Sequence, residues 1–197
     1  MASTPAPEVL TRSQHARRAR VIQAAIELAS EGGYDAVQMR DVAARADVAL
    51  GTVYRYFSSK DHLLAAALLE WARSLEGNGA GVSRASSGDD PVERLVAVIR
   101  RITRASARAP ELFAALVTAI TAPDPAVGEC QAQVQHIVSM VLSAPLGDVD
   151  PELRDGVVRV LAHVWFASLL GWVNGGTAMG QVGDELEFAA RLMLRDR

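Results

Sequence analysis

The strongest constraint on the fold is a succession of apolar stripes at helical spacing, each opened and closed by capping residues. No credible strand interrupts them. Ile22, Ala25, Ile26 and Ala29 repeat at i, i+3, i+4 and i+7, which puts them on one face of a helix that begins near Gln14. Gly32-Gly33 stops it. Met39, Val42, Ala43 and Ala46 form a shorter period, followed by a turn at about Asp47 to Leu50 and another short helix ending near Phe57. Ser58-Ser59-Lys60-Asp61 has the Ser-x-x-acid spacing of a capping box and predicts a helix with Leu64, Ala67, Leu68, Trp71 and Leu75 inward. Asp90-Pro91-Val92-Glu93 opens the next, running to about Arg108 over Leu95, Val98, Ile99 and Ile102. A helix from Pro110 to Thr121 is closed by the turn at 122–125, and about 20 residues with Val134, Ile137, Val138 and Val141 in register follow. Asp150-Pro151-Glu152 starts a helix to Val173, ended by Asn174-Gly175-Gly176, and a last one covers roughly Val182 to Leu194. The expectation is an all-α chain of about nine helices. Alanine, the best helix former, fills 34 of the 197 positions, which agrees.

Composition limits the function classes. The net charge is −3 and argues against a strongly basic nucleic-acid coat protein, but it is unevenly spread. Residues 1–60 carry +2 and residues 61–197 carry −5. Of the 20 basic residues 19 are arginine, so Lys60 is the one lysine. Cys130 is the only cysteine, which excludes an intramolecular disulfide or a multi-cysteine metal site. His62, His136 and His163 have no metal-ligand spacing, so neither metal nor cofactor is expected. The most apolar stretch, Val160 to Val173, has 14 residues and suits a buried helix better than a bilayer span. The polar N-terminus has no apolar run typical of a signal peptide, and a cytoplasmic location with no membrane partner is expected.

Residues 1–13 read as a flexible arm, and residues 77–90, rich in Gly and Ser, as a loop. Between them, 14–58 hold a helix, a short helix, a tight turn and a second short helix, the helix-turn-helix pattern. A recognition helix must anchor one side on its neighbours and offer the other to the major groove. Val53 and Phe57, four apart, serve as the anchor, which turns Thr52, Arg55 and Tyr56 outward and leaves the direction of Tyr54 open. Gly51 permits close approach of the backbone to DNA. Thr and Tyr hydroxyls bond phosphate oxygens, and Arg does so or reads guanine.

The run Asp47-Val-Ala-Leu-Gly-Thr-Val-Tyr-Arg-Tyr-Phe-Ser-Ser-Lys60 resembles the DNA-binding signature of the TetR family of bacterial repressors. Gly33-Tyr34, Val37, Val42-Ala43 and Leu63-Leu64 extend the likeness, which covers about a quarter of the chain. The resemblance implies that Gly51, Thr52, Tyr54, Arg55 and Tyr56 meet phosphates and base edges, that Lys60 contacts a phosphate, and that Gln38 and Arg40 meet the backbone at the second helix. Leu50 stands where several relatives place a polar contact and suits a thymine methyl instead. It further implies that 59–197 form a ligand-binding and dimerisation domain: a homodimer through C-terminal helices, a palindromic double-stranded operator and release by a small effector. The segments 32–40, Ala46 to Ala49, Tyr54 to Phe57, and the tract of Val164-Trp165 and Leu169-Leu170-x-Trp172 are similar to the KstR-type sterol-catabolism repressors. That likeness implies a largely apolar effector, a steroid or an acyl-CoA thioester.

Plainer roles stand beside these. Arg17, Arg18 and Arg20 suit a solvated helix end as well as phosphate contacts, and Arg100, Arg101, Arg104 and Arg108 read first as a solvated face. Cys130 reads as a small buried hydrophobe, the histidines as structural, with His163 the best placed to line a cavity. Trp165, Phe166 and Trp172 belong to the core or to a dimer surface. The alternative class is a helical-bundle protein or enzyme that binds acyl groups or lipids without reading DNA. No GxSxG, HExxH or phosphate-cradling glycine loop supports catalysis, so no enzyme is expected.

Overall fold

The computed structural model describes residues 11–75 and 90–195. The expected arm at 1–13 and loop at 77–90 fall mostly outside them. The described residues form nine α-helices and no strand. They are α1 (Arg12–Ala36), α2 (Met39–Arg45), α3 (Leu50–Tyr56), α4 (Lys60–Leu75), α5 (Pro91–Ser106), α6 (Pro110–Ala119), α7 (Pro125–Ser143), α8 (Pro151–Val173) and α9 (Met179–Met193). A 3-10 turn, Ala144–Leu146, separates α7 from α8.

The starts follow from local chemistry. Asp90, Asp124 and Asp150 each accept first-turn amide protons, from Val92, Ala126, and Glu152 with Leu153, and each is followed by a proline. α1 starts two residues before the expected Gln14, because Thr11 and Gln14 form a reciprocal capping box. Its regular geometry ends at Gly32 (φ −155°) and Gly33 (φ 68°, ψ −157°), a backbone region reserved for glycine, and the chain re-forms one short turn to Ala36. α4 differs from the sequence reading twice. Its cap is Ser59, whose Oγ accepts from the His62 amide at 3.0 Å, while Asp61 turns aside to Tyr34. Nor is its burial a stripe: Leu63 through Leu69 are all buried, because α1, α6 and α7 pack around the helix.

One apolar cluster runs through the molecule, from Val21 and Phe57 at one end to Leu161 and Leu186 at the other. α1 packs on both α6 and α4, so the first three helices sit directly on the larger bundle. α5 and α9 lie together with Glu93 and Glu187 bridged by Arg191, and Arg100 paired to Glu187. α8 is long and apolar enough, on length and composition, to cross a bilayer. It packs here against α6, α7 and α9 and carries Arg154, Asp155 and Arg159.

Candidate nucleic-acid interface and effector cavity

α2 and α3 are seven residues each and meet through a turn with defined backbone chemistry. The Val48 amide donates to the Ala43 carbonyl at 3.0 Å and the Asp47 amide to that of Ala44 at 3.3 Å. This closes α2 in a Schellman motif, with Asp47 in the left-handed position (φ 51°) that glycine usually takes. Arg20 reaches the turn as well, donating from Nε to the Ala46 carbonyl at 3.4 Å.

Val53 and Phe57 are fully buried, as the anchoring role requires. Leu50, Gly51, Tyr54 and Arg55 form the exposed side of α3, with Tyr54 51% and Leu50 42% accessible. A Cβ built on Gly51 meets nothing within 4 Å, so this part of α3 is open. Thr52 is half-buried at the edge of the face. On α2 and its cap, Gln38 and Arg40 are exposed; Gln38 donates to the Asp35 carbonyl at 3.1 Å, and Arg40 is only loosely paired to Asp41 at 3.4 Å.

Tyr56 departs from the outward direction expected of it. It is half-buried, and its hydroxyl is enclosed without a hydrogen-bond partner. The reason is helical geometry: Tyr56 stands three residues after Val53, and i+3 shares the anchored face as much as i+4 does. Its ring lies edge-on to Phe57, with the Arg55 guanidinium 5.3 Å from the ring centroid.

Lys60 sits beside this face at the start of α4. Its Nζ donates to the Tyr34 carbonyl at 3.2 Å and lies 3.6 Å from the centroid of the Tyr34 ring. The Tyr34 hydroxyl donates to Asp61 Oδ1 at 2.5 Å. Burial, with Asp61 accepting that proton, pushes Tyr34 up to about 12. Gly33-Tyr34 belongs to the stretch that resembles the family signature, but nothing local in the sequence pointed to its contact with Lys60, 26 residues away.

Arg18 plays a packing part, its guanidinium 5.2 Å from the Phe57 centroid and 3.6 Å from Glu70. The turn between α6 and α7 also touches the beginning of α4. Asp124 accepts from Ser59 Oγ at 3.2 Å and Ser58 Oγ at 3.4 Å while capping α7. The Ala126 amide is the main cause that holds its carboxyl below the usual range. His62 lies between these groups, its Nδ1 accepting from the Ser58 amide at 3.2 Å and its ring edge-on to Phe57. Burial, helped by Arg18 and opposed by Asp124 and Glu129, lowers its pKa.

The larger bundle holds a partly open cavity of about 690 Å³. Its apolar wall comes from Leu68 and Trp71 of α4, Phe113 and Val117 of α6 with Ile120 just past its end, Val134 and Val138 of α7, and Val158, Trp165, Phe166 and Leu169 of α8. Polar groups are fewer: Gln131, Gln135, His136, Ser139 and Ser143 from α7, and Asp155, Arg159 and His163 from α8. Trp71 stacks at a tilt on Phe113, 4.9 Å between centroids. The expected cavity among helices of 91–175 thus takes a wall from α4 as well, the spacing of Leu68 and Trp71 at i, i+3 being the signal that could have placed them. His163 lines it as expected, whereas Arg100, Arg101, Arg104 and Arg108 do not. Cys130 is buried on α7, and that burial raises its thiol pKa.

A short uncapped recognition helix on an all-helical bundle, joined by one long helix to a largely apolar cavity, defines a class of one-chain regulators. The family model described as "Bacterial regulatory proteins, tetR family" matches residues 21–67, and "Tetracyclin repressor-like, C-terminal domain" matches residues 88–193, over half of the chain. The chain belongs to the TetR family and is a helix-turn-helix transcriptional repressor by class.

Within the family it is similar to the KstR repressors. The HTH-type transcriptional repressor KstR of Rhodococcus jostii is 36% identical over 190 residues, 96% of this chain and 88% of the relative. KstR of Mycolicibacterium smegmatis is 38% identical over 190 residues, 95% of this chain and 91% of the relative. A crystal structure of a TetR transcriptional regulator from Rhodococcus sp. RHA1 superposes with a TM-score of 0.78 at 30% identity, covering 94% of this chain and 98% of that one. FadR of Thermus thermophilus, solved in complex with lauroyl-CoA, shares the fold at a TM-score of 0.63 and 24% identity, covering 90% of this chain and 93% of that one.

Proposed function

We propose that the chain is a homodimeric repressor that binds a palindromic operator and is released by a small, largely apolar effector. The observation that carries this reading is the open face of α3, where Leu50, Gly51, Tyr54 and Arg55 stand together with Thr52 at the edge and Gln38, Arg40 and Lys60 on the flanks. Arg55 and Tyr54 are long enough to reach base edges in the major groove, while Thr52, Gln38, Arg40 and Lys60 take phosphates. Leu50 offers a methyl-sized apolar contact to thymine. Tyr56 supports the helix from behind, and its ring rather than its hydroxyl is the working part.

The second copy covers the face of α8 and α9 that bears Val160, Phe188 and Leu192, large apolar side chains 44%, 69% and 57% accessible in the single chain. A two-fold pairing there sets two α3 helices one turn of DNA apart. The effector fills the cavity against Trp71 and Leu68. Because α4 begins with Lys60 and is tied by Ser58 and Ser59 to Asp124, pressure on its cavity side changes the seat of the reading head. The effector then works by favouring a conformation whose half-site spacing does not fit the operator. The KstR relatives support a sterol-catabolism role and a steroid or acyl-CoA thioester as effector, with Arg159 and His163 on the cavity wall suited to its anionic end. The reading includes no catalytic step and places the protein in the cytoplasm beside its DNA.

The test is a gel shift with the DNA flanking its own gene, repeated with a steroid acyl-CoA thioester, the free steroid acid and lauroyl-CoA as probes. A retarded band abolished by one of the thioesters supports the reading. No retardation at low salt refutes the repressor, and a band that none of the three probes alters refutes the proposed effector class.

A further inference from the structure

We infer that Tyr34 is a positioning residue for Lys60, holding the chain's one lysine at its phosphate-contacting place before DNA arrives. The inference rests on the reading of Lys60 as a DNA contact and adds to it the group that prepares that contact. A free lysine has a flexible four-carbon stem and loses much rotamer freedom on meeting a phosphate. Here the ordering is already done by two features of one residue. The Tyr34 carbonyl accepts one N–H of the ammonium at 3.2 Å, and the ring presents its negative face at 3.6 Å. An ammonium has three donors, so N–H groups remain for a phosphate, and Lys60 is only half-buried.

Asp61 is the natural competitor, a carboxylate adjacent in sequence that attracts the lysine and repels a phosphate. The Tyr34 hydroxyl occupies its Oδ1, and no ion pair between Lys60 and Asp61 occurs among the described residues. The same side chain therefore steadies the cation and engages the anion beside it. The geometry depends on Gly33, whose positive φ turns the chain so that Tyr34 lies over the start of α4.

The experiment uses the full chain, a duplex of the DNA flanking its gene, and a scrambled duplex of equal length. Lys60→Ala should weaken both and lower the salt slope by about one per protomer. Tyr34→Leu keeps the backbone carbonyl but removes the ring and the hydroxyl, and should weaken both by one common factor, roughly three- to ten-fold, by loosening the lysine. Tyr34→Phe keeps ring and carbonyl but frees Asp61 to compete for the ammonium, and should fall between wild type and Tyr34→Leu. The discriminating result is the double-mutant cycle: Tyr34→Leu should cost nothing further in the Lys60→Ala background, whereas a merely structural role would add its cost there.

If Lys60→Ala changes nothing, the assignment of Lys60 fails and this inference with it. If Lys60→Ala weakens DNA binding but Tyr34→Leu leaves it unchanged or tighter, only the inference is overturned. Should Tyr34→Leu not fold, lysine-labelled wild-type protein decides by NMR, since a single lysine gives a single side-chain signal. Ring-shielded ε-methylene protons in the free protein support the inference, and random-coil positions overturn it.

Discussion

Replacing Tyr56 by phenylalanine should make this protein more stable without weakening its hold on DNA. The Tyr56 hydroxyl is fully enclosed and has no partner among the described residues. A buried donor left unpaired costs about 1–3 kcal/mol of desolvation, and removing it without changing the ring recovers most of that cost. Tyr56 as a whole is only half-buried, so the lower end, about 1 kcal/mol, is the reasoned gain. For a chain of this size that raises the melting midpoint by roughly 2–4 °C. The assay is thermal unfolding by circular dichroism at fixed protomer concentration, because dimerisation makes the midpoint concentration-dependent. Fluorescence anisotropy with operator duplex runs in parallel. The ring, edge-on to Phe57, stays in place, so affinity should be unchanged. A lower midpoint would show that the hydroxyl is hydrogen-bonded in solution. A loss of affinity of several-fold would show that it reaches DNA, and the enclosed geometry would then not describe the bound state.

Two further expectations concern the reading head. Asp47 holds a left-handed conformation that costs a residue with a Cβ about 1 kcal/mol, less for Asp than for most; Asp47→Ala should melt below wild type and Asp47→Gly at or above it, and the reverse order would refute the strain. His62 has its pKa lowered in the folded protein, so the unfolded chain binds its proton first as pH falls. The stability it contributes is complete above the ordinary value of 6.5 and declines as pH drops through 6.5 towards the folded value. Denaturant midpoints of wild type and His62→Gln across this window check the sign: the variant should show the flatter profile.

Much of the architecture was legible because helix boundaries are local chemistry. Asp90-Pro91 and Asp150-Pro151 cap in the structure as their spacing says. The two-step turn between α2 and α3 was likewise readable from Asp47 to Leu50. What escaped depends on neighbours far along the chain. Lys60 meets Tyr34, and Ser58 and Ser59 meet Asp124, across separations that no period encodes. The full burial of Leu63 to Leu69 needs three helices around α4, where a single-face pattern foresees one. Tyr56 was misdirected for a different reason: Val53 leaves both i+3 and i+4 on its own face, and packing chooses between them.

The central claim is that the exposed face of α3 reads DNA. Anisotropy titration of operator duplex with wild type, Thr52→Ala and Tyr54→Ala tests it most directly, with thermal melts alongside. Thr52 is half-buried at the rim and Tyr54 is 51% accessible, so neither substitution should alter the midpoint by more than about 2 °C. Each should lower affinity about ten-fold, the worth of a phosphate or base contact made once per half-site. Wild-type affinity in both variants would contradict the account.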